Sequence, residues 1–150
     1  MRCRIRAVLA TFIAVVAIGT SATSAPTAFS YGTIQSSCAP WDGPAIGITL
    51  TKEPAQCKRT SGPFISIGIW RGLPLQLGQV VKFASGSDAG FAARCKKEGN
   101  CERAESGTIT LERYEAGSRA TGRYELHFRG DETLSGTFDV KWCQERVICG

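Results

Sequence analysis

The chain has 150 residues, 43% of them hydrophobic and 21% charged, and this length suits a single domain with its own core. Three of its 18 basic residues, Arg2, Arg4 and Arg6, lie at the N-terminus, so the chain after them carries 15 basic against 13 acidic residues, a net charge of +2. A chain so close to neutral lacks the concentrated positive charge that binding to a phosphate backbone requires, so we expect no nucleic acid partner.

Residues 1–25 have the order of a secretory signal peptide. Three arginines precede the almost wholly apolar run 7–18, and small, weakly polar residues follow it up to Ala25, after which cleavage fits best. A membrane anchor is the alternative, but a bilayer span needs roughly 20 apolar residues. We therefore predict a secreted or periplasmic protein with no transmembrane segment in its mature chain.

The mature chain divides at its first cysteine. Residues 26–37 mix proline, serine, threonine and glycine without a period, which predicts a flexible N-terminal arm. No proline-rich linker or charge run interrupts residues 38–150, so we expect them to form one domain.

Alternation of apolar with polar or small residues is the dominant pattern of this domain, and it predicts β-strands. In the first half, apolar residues recur at every second position in four stretches that glycine, proline, serine and aspartate separate. The expected inward-facing sets are Ile46, Ile48 and Leu50; Ile65, Ile67 and Ile69; Val81 and Phe83; and Phe91 and Ala93.

The last third has the clearest pattern. Residues 107–115, 121–128 and 134–142 predict three strands joined by short turns, an antiparallel meander with one apolar and one polar face. About seven strands in this length predict an all-β fold, a small antiparallel β-sandwich. A β-barrel is the alternative, because alternation does not encode which strands pair.

Six cysteines remain once Cys3 leaves with the leader, and an even number in an oxidising compartment predicts three disulfides. Of the fifteen possible connectivities, pairing between sequence neighbours is the simplest. A zinc site is the alternative, but no pair has the C-x2-C spacing and there is one histidine, so we expect no metal and no cofactor. The predicted pairs are Cys38 with Cys57, Cys95 with Cys101, and Cys143 with Cys149.

One candidate binding surface is the polar face of the meander. His127, the single histidine, shares the polar side of its predicted strand with Arg123, Glu125 and Arg129, and the next strand is expected to extend this surface. Any acid–base chemistry through a histidine would have to use His127. The alternative is a solvated sheet face held by cross-strand ion pairs.

The other candidate surface consists of two tryptophan-bearing turns, one around Trp41 and one with the sequence Trp70-Arg71-Gly72. An indole offers a broad contact area at low entropic cost. Trp41 and Trp70, together with Arg71, are therefore candidates for binding a glycan or another extracellular protein. The alternative is that both indoles cap an end of the core.

The remaining signals are weaker. The polar loop Lys96–Asn100, tied at its base by a disulfide, predicts either a rigid epitope or a stapled hairpin end. Two carboxylates could hydrolyse a glycoside, but the acids lie in no catalytic motif, so a small secreted hydrolase is only the alternative function. The sequence favours a non-enzymatic binding or interaction module of unknown ligand, of an inhibitor-like or cell-envelope kind.

Overall fold

The computed structural model describes residues 29–57, 60, 62–144 and 147–150. The predicted signal peptide, residues 1–25, and the first residues of the predicted arm lie outside this part of the chain. The described residues form an all-β structure. Among them, no helix has the length and apolar character needed to cross a membrane.

Nine strands make up the fold: β1 (Tyr31–Cys38), β2 (Pro44–Thr51), β3 (Phe64–Ile69), β4 (Val80–Ala84), β5 (Gly90–Lys97), β6 (Asn100–Arg103), β7 (Ser106–Glu115), β8 (Arg119–Phe128) and β9 (Glu132–Trp142). They form one sheet in the order β4-β7-β8-β9-β1-β2-β3-β5-β6, which is not closed. Neighbouring strands are antiparallel except β1 and β9, which are parallel. The all-β class is confirmed, whereas the seven-strand sandwich and the closed barrel are both wrong.

The sheet curls so that its apolar face surrounds a single core. β6 at one edge and β7 near the other are separated by only Ala104 and Glu105, so the two ends of the sheet come together. Arg94 of β5 lies over Phe128 of β8, with its Cζ 4.7 Å from the ring centroid. Burial of this continuous apolar face is the main stabilising term of such a fold. Side chains with almost no exposed surface come from seven of the strands: Ile34, Ile48, Leu50, Ile65, Ile67, Ile69, Cys95, Ile109, Leu111, Leu126, Phe128 and Val140.

Most of the predicted strands are confirmed with their inward faces. The isoleucine and leucine sets of β2 and β3, and Val81 and Phe83 of β4, are all buried. The C-terminal meander is confirmed as β7, β8 and β9, paired in sequence order. Gly130 and Asp131, in the turn between β8 and β9, both have positive φ, as a tight hairpin turn requires.

The predicted flexible arm, residues 26–37, needs correction over residues 31–37. These residues form most of β1, which lies in the middle of the sheet between β9 and β2. Only Ile34 gives a strong apolar signal there, and it is fully buried. The segment forms a strand because it pairs with β9 on one side and with β2 on the other. Its small polar residues give no pattern from which this pairing could be predicted.

β5 and β6 also differ from expectation. β5 is a strand as predicted, but its core residue is Ala92, while Phe91 points to the outer face opposite Gly68. The expected inward position of Phe91 is therefore wrong, whereas Ala93 is buried although it lies outside the core cluster. All four residues of β6 are exposed, so this strand carries no alternation that predicts it.

The three disulfides use all six predicted cysteines, but only the bond between Cys95 and Cys101 has the predicted partner. The neighbour pairs Cys38 with Cys57 and Cys143 with Cys149 are wrong. The C-terminal tail continues from β9 alongside β1 in the same direction, and the Cys143 N–H donates to the Ile34 carbonyl. That position brings distant cysteines together, and the bonds are Cys38–Cys149 and Cys57–Cys143, separated by 111 and 86 residues.

Candidate functional site

The polar face of the meander is held together by its own side chains. His127 contacts Thr133 through Nδ1, at 3.0 Å from Oγ1, and Glu125 through Nε2, at 3.1 Å from Oε1. Arg123 donates to Glu112 across the β7–β8 pair at 3.0 Å. The face therefore brings the predicted residues His127, Glu125 and Arg123 together on one surface.

Further ion pairs continue this surface. Arg119 makes a bidentate pair with Asp139, and its guanidinium lowers the pKa of that carboxyl. Arg129, which is almost fully exposed, has its Nε 3.9 Å from Glu105 Oε1. Exposed pairs of this kind contribute about 0–1 kcal/mol each. The arrangement is that of a solvated face whose charges are matched within the sheet.

The second surface is a row of three aromatic rings on the outer face, Trp41, Trp70 and Phe91, which we call the aromatic row. The centroids of Trp41 and Trp70 are 5.9 Å apart with an interplanar angle of 82°, an edge-to-face contact. Those of Trp70 and Phe91 are 5.6 Å apart and tilted by 46°. Edge-to-face and tilted geometries are the favoured ones for aromatic pairs, so the three rings support one another.

Three different elements bring these rings together. Trp41 lies in the tight β1–β2 turn, where the Ala39 N–H donates to the Gly43 carbonyl at 2.8 Å. Trp70 directly follows β3, and its N–H donates to the Ala89 carbonyl at 2.9 Å. Phe91 lies on β5, next to β3 in the sheet. The backbone at each ring is therefore fixed by hydrogen bonds.

Glycine at position 68 makes room for the row. Gly68 pairs with Phe91 across β3 and β5, and the Phe91 ring lies over it. A Cβ on Gly68 would lie 2.8 Å from Cδ1 of Phe91 and 3.0 Å from Nε1 of Trp70, closer than real contacts allow. The two rings can lie this close to the sheet only because residue 68 has no side chain.

An arginine lies at each end of the aromatic row. The Cζ of Arg71 is 5.2 Å from the ring centroid of Trp41, and Arg71 also pairs with Asp88 at 2.9 Å. At the other end, the Cζ of Arg103 is 5.6 Å from the ring centroid of Phe91. Both distances are within cation–π range. Among the described residues, Arg103 makes no ion pair.

The aromatic row is separate from the core. Trp41 is 49% exposed, and none of the three rings belongs to the core cluster or packs against it. Trp142, in contrast, packs on the core and contacts Tyr114 at a centroid distance of 6.4 Å. The alternative that Trp41 and Trp70 cap the core therefore does not describe their position.

Sequence reasoning found Trp41, Trp70 and Arg71 but missed Phe91 and Arg103. Phe91 was expected on the inner face because it alternates with Ala93 along the predicted strand. The short side chain of Ala92 gave no reason to prefer the opposite face. Arg103 lies on β6, a strand that the sequence did not predict. The pairing of Gly68 with Phe91 is the signal that would have identified Phe91, and the pairing of Ala93 with Arg103 is the one that would have identified Arg103.

Among the described residues, arginine side chains lower the pKa of three carboxyls, those of Glu115, Glu132 and Asp139. Arg94 lies between Glu102 and Glu132 and donates to both, at 2.7 Å to Glu102. Its guanidinium lowers the pKa of Glu132, and Arg113 lowers that of Glu115. A glycosidase acid needs a raised pKa so that it stays protonated. These carboxyls are instead held in their ionised form.

The described residues also form a groove on the surface of the sheet. This open groove of about 360 Å³ lies beside the N-terminal end of β1, lined by Tyr31, Pro54, Arg119 and Lys141 among others. Its charged wall includes the Arg119–Asp139 pair already described. In the described part of the chain, no group of three histidine, cysteine, aspartate or glutamate residues is placed to hold a metal ion.

Comparison with models of protein families, with curated proteins and with solved structures finds no match to this chain. The geometry of its surfaces is therefore the basis for any functional assignment.

Proposed function

We propose that this protein is a non-enzymatic binding module of an oxidising compartment, secreted or periplasmic, and that its ligand docks on the aromatic row. One observation carries the proposal: three rings in mutual contact lie outside the core, with an arginine at each end. Packing of the core does not account for rings in that position.

Rigidity supports a binding role for this row. The rings stand on backbone fixed by the β-sheet and by the hydrogen bonds of Trp70 and the Trp41 turn. A ligand that docks there orders few additional side chains, so little of the contact energy is lost as conformational entropy. Trp41, which is 49% exposed, also buries further apolar surface when a ligand covers it, which favours association.

The compartment rests on cysteine use. All six cysteines of the described chain are joined in disulfides, two of which close long loops. Such bonds persist in secreted and periplasmic proteins and are rare where thiols are kept reduced. The signal-peptide order of residues 1–25 supports the same location.

The experiment compares the two outer surfaces directly. The full chain, produced in cells that form disulfides, is screened against a glycan array and against extracellular and envelope protein fractions. Two double variants are screened beside it: Trp41→Ala/Trp70→Ala on the aromatic row, and Arg123→Ala/His127→Ala on the meander. We expect a ligand that the wild type and the meander variant bind and the tryptophan variant does not.

Two results would overturn the proposal. One is a ligand that is lost in the meander variant and retained in the tryptophan variant, which would move the site to the polar face. The other is the absence of any ligand for the wild type in both screens. Far-ultraviolet circular dichroism and urea unfolding of each variant show whether the fold is retained.

A further inference from the structure

The sheet surface beside the aromatic row has an unusual composition. Residues on the outer face of β1, β2 and β3 stand in cross-strand rows, and one of these rows consists of Gln35, Gly47 and Gly68 and ends at Phe91. The next row contains Thr49 and Ser66, among others, and ends at Arg103 of β6. Within β1, β2 and β3, the residues of these two rows are glycines or have hydroxyl or amide side chains, and none of them is charged.

This combination of groups fits a sugar chain. Pyranose rings have an apolar face of C–H groups that can lie against an indole, and their hydroxyls exchange hydrogen bonds with side-chain hydroxyls and amides. The aromatic row offers consecutive rings 5.9 and 5.6 Å apart. An extended ligand with several rings can use this spacing, whereas a single sugar would cover only part of it.

The charges at the two ends of the row indicate what kind of sugar chain. Arg103 makes no ion pair among the described residues, and the Arg71–Asp88 pair is exposed on both sides, at 61% and 68%. An exposed pair is weak, so the Arg71 guanidinium can exchange its partner at little cost. Guanidinium groups bind carboxylates in bidentate geometry, which makes this surface complementary to a ligand bearing carboxylates along its length.

We infer that the aromatic row binds a carboxylated oligosaccharide, a chain of uronic acid units whose sugar faces stack on Trp41 and Trp70 and whose carboxylates pair with Arg71 and Arg103. This inference rests on the proposed function and specifies its ligand class. Its carrying observation is the placement of an arginine at each end of the row, beside an uncharged hydroxyl-bearing sheet face.

The test uses a matched pair of ligands that differ only in whether their carboxyl groups are ionised or methyl-esterified. The full oxidised chain is titrated with a short oligogalacturonate and with its fully methyl-esterified form, with intrinsic tryptophan fluorescence and calorimetry as readouts. We expect the ester to bind about tenfold more weakly, since it loses the two charge-assisted pairs. Added salt should reduce that difference, because the paired charges are exposed.

Three variants assign the effect to named groups. Trp41→Ala should weaken both ligands by about tenfold or more, because both stack on the indole. Arg103→Gln should weaken the acid severalfold and leave the ester unchanged. Arg113→Gln, which removes an equally exposed arginine from the far end of β7, should change neither ligand.

Each outcome decides between the inference and the proposed function. Equal affinity for acid and ester would overturn the carboxylate preference and leave a glycan-binding module in place. If neither sugar binds, the inference fails, and the screen of the tryptophan and meander variants decides the proposed function separately. Binding that Trp41→Ala does not change would overturn the inferred site.

Discussion

Two regions of the sheet have similar inner faces but different outer faces. The meander β7–β9 and the strands β1, β2, β3 and β5 both bury an inward row of aliphatic side chains in the common core. The outer face of the meander is covered by ion pairs such as Arg123–Glu112 and Arg119–Asp139. The other region has an uncharged outer face with the aromatic row on it. The difference is therefore one of apolar contact area, which the aromatic rings add to one outer face and which the ion pairs of the meander do not supply.

The two regions are tied together covalently, and removing that tie should have the largest effect on stability. Cys38→Ala/Cys149→Ala releases a bond between the end of β1 and the tail that follows β9, with a separation of 111 residues. Because Cys57–Cys143 stays closed inside this loop, the loop released in the unfolded chain is about 25 residues, and on the chain-entropy model we expect a loss of about 3–4 kcal/mol in the free energy of unfolding. Cys95→Ala/Cys101→Ala, which opens a separation of 6 residues, should lose only about 2 kcal/mol.

Urea unfolding of the two double variants measures the difference. Equal losses, or a larger loss for the short loop, would show that chain entropy does not govern these crosslinks.

The disulfides also mark the limit of what the sequence could predict. Alternation identified β2, β3 and the meander, because each has one apolar and one polar side that the period of two reveals. It gave no information on pairing at a distance, and that is why Cys38 and Cys143 were assigned to the wrong partners. β1 was missed for the same reason, since its strand character comes from neighbours that are distant in sequence.

The candidate site was only half predictable. Trp41, Trp70 and Arg71 could be identified because they are large side chains in segments whose local sequence predicts turns. Phe91 and Arg103 join them through the register of β3, β5 and β6, and a register error of one residue exchanges the faces of a strand. Arg123, Glu125 and His127 share one face because they occupy alternate positions of a single strand, β8, which the sequence pattern shows directly.

Comparison of two tryptophans tests whether the aromatic row is independent of the core. Trp142→Ala removes a ring that packs on the core beside Tyr114, and we expect a loss of about 2–3 kcal/mol, somewhat less than for a fully buried ring. Trp41→Ala removes a half-exposed ring outside the core, and we expect a loss of about 1 kcal/mol or less.

Thermal and urea unfolding give both values. If Trp41→Ala lowers the free energy of unfolding as much as Trp142→Ala does, the aromatic row is not independent of the core. It would then contribute to the stability of the fold. Its exposed rings would in that case need no ligand to explain them.

Glycine at position 68 allows a finer test of how the row is built. Gly68→Ala puts a methyl group against the rings of Phe91 and Trp70, so we expect both to shift, with a loss of about 1–2 kcal/mol. Gly47, its partner on β2, is the matched control, because a Cβ there would approach no atom closer than 3.7 Å. Gly47→Ala should leave the near-ultraviolet dichroism of the tryptophans unchanged, whereas Gly68→Ala should alter it. Identical spectra for both variants would contradict the close contact between the rings and the sheet.

The smallest effect concerns the ion pair that joins β5 to β9 across the curled sheet. Arg94 donates to Glu132 and lowers the pKa of that carboxyl below its usual value of 4.5. A carboxyl whose pKa is lower in the folded state contributes stability above pH 4.5, and this contribution is lost as the pH falls through the folded-state value. Stability should therefore decrease on acidification, and part of that decrease should be absent in Glu132→Gln.

Arg94→Gln provides a second route to the same result, since without the guanidinium the carboxyl of Glu132 loses the hydrogen bonds that lower its pKa. Urea midpoints measured from pH 7 down to pH 3 should fall less steeply in both variants than in the wild type, whatever their stability at neutral pH. The slope is the relevant quantity, because a general loss of packing would lower the midpoint at every pH alike. Curves parallel to that of the wild type would mean that this pair does not hold the two regions together, and that the curl of the sheet depends on its apolar core and disulfides alone.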